Sequence, residues 1–175
     1  VIKSIKEKYQ SVILSRNTEI LMAAEFIKNI INNCKDIVRQ YSAVQLELRF
    51  KQIDKIGEIP AILVSAGPSL DKNINEIRKA KGKAFIVAVD TALKTLLKKN
   101  IIPDIVITID PHKPPILFMH MKFKDIPMVV CDCSNYELHV LHQGKRFYFA
   151  ETESYMSYIY NECTGGKLYS TETGG

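Results

Sequence analysis

The chain has 175 residues, 46% hydrophobic and 25% charged, with a formal net charge of +5. That length buries about 70% of the unfolded surface without disulfide staples, and the composition is far from that of a disordered chain. No dense Lys/Arg block suggests a nucleic-acid groove, and no apolar run approaches the length of a membrane span. With no signal peptide visible, a cytoplasmic location is expected. The four cysteines lack the spacing of a disulfide framework. Cys34 and Cys163 stand alone. Cys131 and Cys133 read as core thiols, or as half of a metal site whose other pair is missing. The chain starts at Val1 rather than Met and stops at "STETGG", so it reads as an excerpt of something longer.

Residues 1–56 read as a helical N-terminal segment. Ile2, Ile5, Tyr9 and Val12 recur at helical spacing, and "SRNTE" then interrupts the pattern. Thr18 is placed to cap a second helix. Along it Ala24, Ile27, Ile31, Cys34, Val38 and Tyr41 make one apolar seam about 35 Å long. The seam packs on its own domain or, as an arm through 18–41, on a neighbouring domain or subunit. "SAVQLELRF" fits strand alternation and helical spacing, and is read as helix.

From residue 57 to 175 the pattern becomes short apolar runs alternating with amphipathic ones. "AILVSA", "KAFIVAVD", "DIVITID", "PMVVCD", "KRFYFAE" and "KLYST" are strand candidates. Between them Leu70, Ile74 and Ile77 mark one helix, and Ala92, Leu93, Leu96 and Leu97 a second. "PPILFMHMKF", "NYELHVLHQ" and "SYMSYIYNEC" supply shorter ones. The alternation predicts an α/β domain: a Rossmann-like, doubly wound, mainly parallel sheet with helices on both faces.

In such sheets ligands sit beyond the carboxyl ends of the strands. Those ends carry Ser65, Ala66, Gly67, Pro68 and Ser69; Asp90 and Thr91; Asp110, Pro111 and His112; and Asp132, Cys133, Ser134 and Asn135. Glu151, Thr152 and Glu153, and the closing Thr171, Glu172, Thr173, Gly174 and Gly175, complete the set. At "PAILVSAGPSLDKNI", Gly67 is expected to turn the backbone sharply and Ser69 to cap the next helix, whose amides face a phosphate or carboxylate. Neither the dinucleotide fingerprint, nor the P-loop, nor the nucleophile elbow is present. Asp90 either caps its helix, holds a ribose hydroxyl or coordinates Mg²⁺; Asp110 has the same choices and is followed by His112, a candidate acid. His139 and His142, without a third ligand, are expected at the surface.

The blocks "PAILVSAGPSLDKNI" and "KAFIVAVDTALKTLLKKNIIPDIVITIDP" resemble the motility accessory factor family of flagellin glycosyltransferases and the related archaeal 6-hydroxymethylpterin diphosphokinases. The resemblance runs from about Pro60 to the end, where "TETGG" is similar to the start of that family's Gly-Gly-Ser loop. It implies a Rossmann-like transferase domain. One branch implies transfer of a nine-carbon acidic sugar from its CMP-activated form to Ser or Thr of flagellin. The other implies diphosphate transfer from ATP to a pterin alcohol, with Mg²⁺. Carried over by position, Ser65, Gly67, Pro68 and Ser69 form the phosphate or nucleotide turn, Asp90 and Asp110 flank it, and Gly174 with Gly175 begin a second loop. The serine expected after Gly175 is absent from this sequence. The first branch is preferred, because the pterin enzymes have no need of a helical arm. A scaffold module without catalysis is the third reading.

Overall fold

A computed structural model describes residues 2–113, 125–142, 144–151 and 154–171; within the first helix, side chains are described for Lys6 and from Ile20 on. "PPILFMHMKF", Thr152, Glu153, Gly174 and Gly175 lie outside the described residues. The long helix α1 (Ile2–Arg39) leads through a two-residue strand β1 (Tyr41–Ser42) into α2 (Ala43–Lys51), and a 3₁₀ turn follows at Ile56–Glu58. Then come β2 (Ala61–Val64), α3 (Pro68–Ala80), β3 (Phe85–Val89), α4 (Asp90–Lys98) and β4 (Ile105–Thr108). The chain continues with β5 (Met128–Cys131), α5 (Tyr136–Leu141), β6 (Arg146–Glu151), α6 (Met156–Thr164) and β7 (Ser170–Thr171).

The seven strands form one sheet in the order β1-β6-β5-β4-β3-β2, with β7 also on β6, and every pair is parallel. All six strands expected from apolar runs are present. The register aligns Val64, Ala88, Val106 and Met128 on one face. From β2 to β6 the chain advances one strand at a time, so right-handed crossovers put α3 to α6 on that same face. Leu70, Ile74, Ile77, Ala92 and Leu96 pack there on Val64, Ile86 and Ala88. Leu138, Met156 and Tyr160 pack with Val106, Met128, Val130 and Tyr148.

The other face is crossed by α2, as the chain passes from β1 at one edge to β2 at the other. Ser42 caps α2, its Oγ accepting from Val44 N while its own amide donates to Gln45 Oε1 at 3.1 Å, which resolves "SAVQLELRF" as helix. Phe50 meets Phe85 edge-on at 5.2 Å, and Ala43 packs with Cys131, Cys133 and Phe149. Helices therefore lie on both faces, as the strand-helix alternation predicts. Phe26 and Ile30 of α1 also pack on Cys131, Cys133 and Phe149, and among the described residues Leu63 at the β2 edge is left 68% exposed.

The N-terminal helix departs from expectation twice. It runs unbroken through "SRNTE", which contains no Gly or Pro, so weak propensities alone do not stop it and Thr18 is not a cap. Its inner face is also rotated from the expected seam. Ile27 and Ile31 are 58% and 68% exposed, whereas Asn29, Asn33 and Ile37 are buried. Tertiary hydrogen bonds, described next, select the asparagine face over the isoleucine face. Asp36 binds Arg146 at the start of β6 and Asn33 binds the loop after β5, so α1 runs antiparallel to the strands.

Candidate functional site

Because the strands are parallel and neighbouring, every loop that leaves a strand end emerges on one rim. Ser65 to Ser69 follow β2, Asp90 and Thr91 follow β3, and Asp110 to Lys113 follow β4. The expected convergence of Gly67, Asp90 and Asp110 on one edge is met.

The β2 exit loop, from Ser65 through Ser69, is wholly exposed. Gly67 is the N-cap of α3, Pro68 its first residue and Ser69 its second, with no side-chain cap. The expected Ser69 cap is thus two positions too late: proline's fixed φ starts the helix at Pro68, with Gly67 as the N-cap. Nor does Gly67 turn through a glycine-only conformation. Its φ of 164° and ψ of 169° are extended, and an added Cβ would meet only Ser69 Oγ at 3.9 Å. What the glycine supplies is an uncovered backbone at the start of a 13-residue helix, where Pro68 carries no N–H and Leu70 N already donates to Gly67 O at 3.0 Å, so Ser69 presents the open amide of the first turn. Asp71 lies in that first turn and offsets part of the positive dipole end.

Asp90 is buried and neither caps α4 nor stands free. One carboxylate oxygen pairs with Lys113, and the other accepts from Thr108 Oγ1 at 2.7 Å. The two charged side chains are 7% and 10% exposed, so the pair is held away from water. Lys113 was invisible to pattern reading: it follows Asp110-Pro111-His112 as one more loop lysine, and only the fold turns it inward. Asp110 and His112 are exposed, with the His112 amide donating to Asp110 Oδ1 at 2.8 Å in a tight turn. Thr91 is exposed as the second residue of α4.

A divalent cation shared by Asp90 and Asp110 does not fit this arrangement. The ammonium of Lys113 and the hydroxyl of Thr108 already take both oxygens of Asp90, and a cation beside it would face Lys113. Among the described residues the one cluster of three ligand groups is Cys131, Asp132 and Cys133, all buried, whereas Asp110 is exposed. Its members satisfy one another. The thiols are 3.4 Å apart, Cys131 donates to Asp132 Oδ1 at 3.5 Å, and the aspartate also accepts from Glu151 N and Ser154 Oγ. Burial raises the pKa of Asp132 above the ordinary carboxylate value, against the pull of the Ser154 bond. The hydrogen bond between the thiols, with burial, raises that of Cys131. The reading of these two as core thiols stands; Cys34 is half-buried and Cys163 is exposed.

His139 and His142 are not surface residues: both are buried beneath β5 and β6. Ser134 Oγ gives its proton to Cys131 O, so the Nε2–H of His139 donates to Ser134 Oγ at 3.0 Å. Tyr148 OH then donates to Nδ1 at 2.9 Å. This neutral tautomer agrees with a pKa pulled down to about 3, first by burial and then by Arg146. Nε2 of His142 donates to Ile126 O at 2.8 Å, and burial lowers its pKa too. Arg146 closes the network, donating to the carbonyls of His139 and His142 and to Asp36. The network is structural: it ties α5 to β6 and α1.

With this geometry in place, residues 28–175 match the family model described as 6-hydroxymethylpterin diphosphokinase MptE-like. The chain belongs to that family. A solved relative in fold is the MAf glycosyltransferase from Magnetospirillum magneticum AMB-1, at a TM-score of 0.53 and 20% identity, covering 66% of this chain and 18% of that one. An uncharacterized protein of Treponema pallidum (strain Nichols) is 40% identical over 73 residues, 38% of this chain and 35% of that protein. The chain thus spans about a third or less of the length of the relatives it matches. Among the described residues no helix is long and apolar enough to cross a membrane.

Proposed function

We propose that this chain is the nucleotide-binding module of a cytoplasmic glycosyltransferase that takes a CMP-activated, sialic-acid-like nonulosonic sugar and modifies flagellin. The observation that carries this reading is the neutralised Asp90. With its carboxylate committed to Lys113 and Thr108, the rim favours a donor bound by amides and hydroxyls over one delivered as a metal complex. The likeness of the fold to the MAf glycosyltransferase supports the same choice.

The phosphate of the donor rests on the Ser69 amide at the start of α3, reached closely because Gly67 has no side chain, with Ser65, Ser69 and Thr91 as hydroxyl partners. Asp110 or His112 takes the proton from the acceptor hydroxyl as its oxygen attacks the sugar carbon. The bond from that carbon to the phosphate breaks, and the electron pair leaves on CMP. Asp110 as a metal ligand belongs to the competing reading. Gly174 and Gly175 extend the nucleotide site from a second loop, and the exposed side of α1 within 18–41 meets a neighbouring domain or subunit.

The competing reading, a Mg²⁺-dependent pterin diphosphokinase using ATP, draws on the family description. Calorimetric titration with CMP, a CMP-sugar and ATP, each with Mg²⁺ and with chelator, separates the readings. CMP binding indifferent to chelator supports the glycosyltransferase, and ATP binding that requires Mg²⁺ overturns it. Absence of binding by any of them leaves a scaffold module.

A further inference from the structure

The buried face of α1 carries two asparagines one turn apart, and each spends its amide on the rim. Asn29 Nδ2 donates to Pro111 O and Cys133 O, both at 3.1 Å. Asn33 Nδ2 donates to Asp132 O and Ser134 O, both at 2.9 Å. The side chains are 0% and 1% exposed, and among the described residues no protein group donates to the Oδ1 atom of either. What the asparagines achieve is to fix four loop carbonyls against a rigid helix.

The two differ in what they fix. Asn33 reaches only the loop after β5, where Asp132 is locked by Glu151 N and Ser154. Asn29 reaches Pro111, in the centre of the turn that presents Asp110 and His112 outward and Lys113 inward to Asp90. The turn is also held by the Lys113–Asp90 pair and by Asn135, whose Nδ2 donates to Lys113 O at 2.9 Å and whose amide donates to Asp110 O at 3.3 Å. We infer that Asn29 is a positioning residue for the rim: through Pro111 it sets the turn 110–113, and so couples α1 to the ligand site. This rests on the proposed function for its affinity readout, though not for its structural one.

The test compares Asn29→Ala with Asn33→Ala in the full chain. Each loses two buried bonds at the same helix, so both should melt cooperatively with similar losses of stability. Lys113 is then labelled with an amine-acylating reagent and quantified by mass spectrometry, and CMP affinity is measured in parallel. Asn29→Ala is expected to raise Lys113 labelling and weaken CMP binding by about tenfold, while Asn33→Ala keeps Lys113 protected and affinity within about threefold. Equal labelling in the two variants, or protection in both, overturns the inference. If the unaltered chain binds no nucleotide, the proposed function fails, and the labelling comparison still decides the role of Asn29.

Discussion

Replacing Lys113 by methionine keeps most of the side-chain volume and removes the ammonium, leaving the Asp90 carboxylate buried with Thr108 alone. Both partners are at least nine-tenths enclosed, so the cost is that of an uncompensated buried charge, about 3 kcal/mol. Against a total stability of roughly 5–15 kcal/mol, that is a large fraction. For a chain of this size it corresponds to a fall in Tm of about 6–12 °C. Asp90→Asn should cost a similar amount, and the double variant clearly less than the sum, because the second change removes the charge the first one stranded. Lys81 and Asp104 provide the contrast: this pair is 39% and 31% exposed, so Lys81→Ala should cost no more than about 1 kcal/mol. Urea unfolding of the four variants gives each value. Additive losses for Lys113 and Asp90, or a loss as small as that of Lys81→Ala, would refute the buried pair.

Other consequences are equally open to measurement. Gly67→Ala should fold with unchanged Tm, since the backbone is extended and the added Cβ has room, yet weaken nucleotide binding in calorimetry; unchanged affinity would remove this turn from the site. Asp71→Asn should tighten binding of an anionic ligand by up to about fivefold at low salt, by restoring the helix dipole it offsets, and the gain should fade as salt is added. Neutral His139, with its pKa lowered from 6.5 to about 3, contributes stability that is complete above pH 6.5 and lost as pH falls toward 3. His142 acts in the same direction; Asp132, whose pKa is raised, acts oppositely and loses stability as pH rises through the carboxylate range. Urea titrations across pH should therefore show a steeper acid loss in the natural chain than in His139→Gln, by at most about 1.4 kcal/mol per pH unit. Ile27→Lys with Ile31→Lys should leave Tm unchanged, because both side chains point to solvent; a large drop would restore them to the core.

The strands were legible because continuous apolar runs such as Ile105–Thr108 are what a sheet covered by helices requires. Their order along the rim followed from parallel connectivity, which is why Gly67, Asp90 and Asp110 could be placed together before any coordinates. What periodicity could not reveal was pairing between distant polar groups. Asn29 and Asn33 gave no signal in an apolar seam, because their partners are backbone carbonyls about 80 to 100 residues away. Lys113 and the His139–Tyr148 contact were hidden for the same reason: a buried polar residue is recognised by its partner, and the partner comes with the tertiary fold. A weak clue existed in Asn29 and Asn33 themselves, spaced one helical turn apart like Ile27 and Ile31 on the competing face.

Hydrogen exchange of the chain with and without CMP, in chelator, tests the central claim most directly. The account predicts slowed exchange at Ser69 to Asp71 and at His112 and Lys113, with little change at the opposite rim. Protection at the amino ends of the strands, or at neither loop while CMP is demonstrably bound, would contradict it.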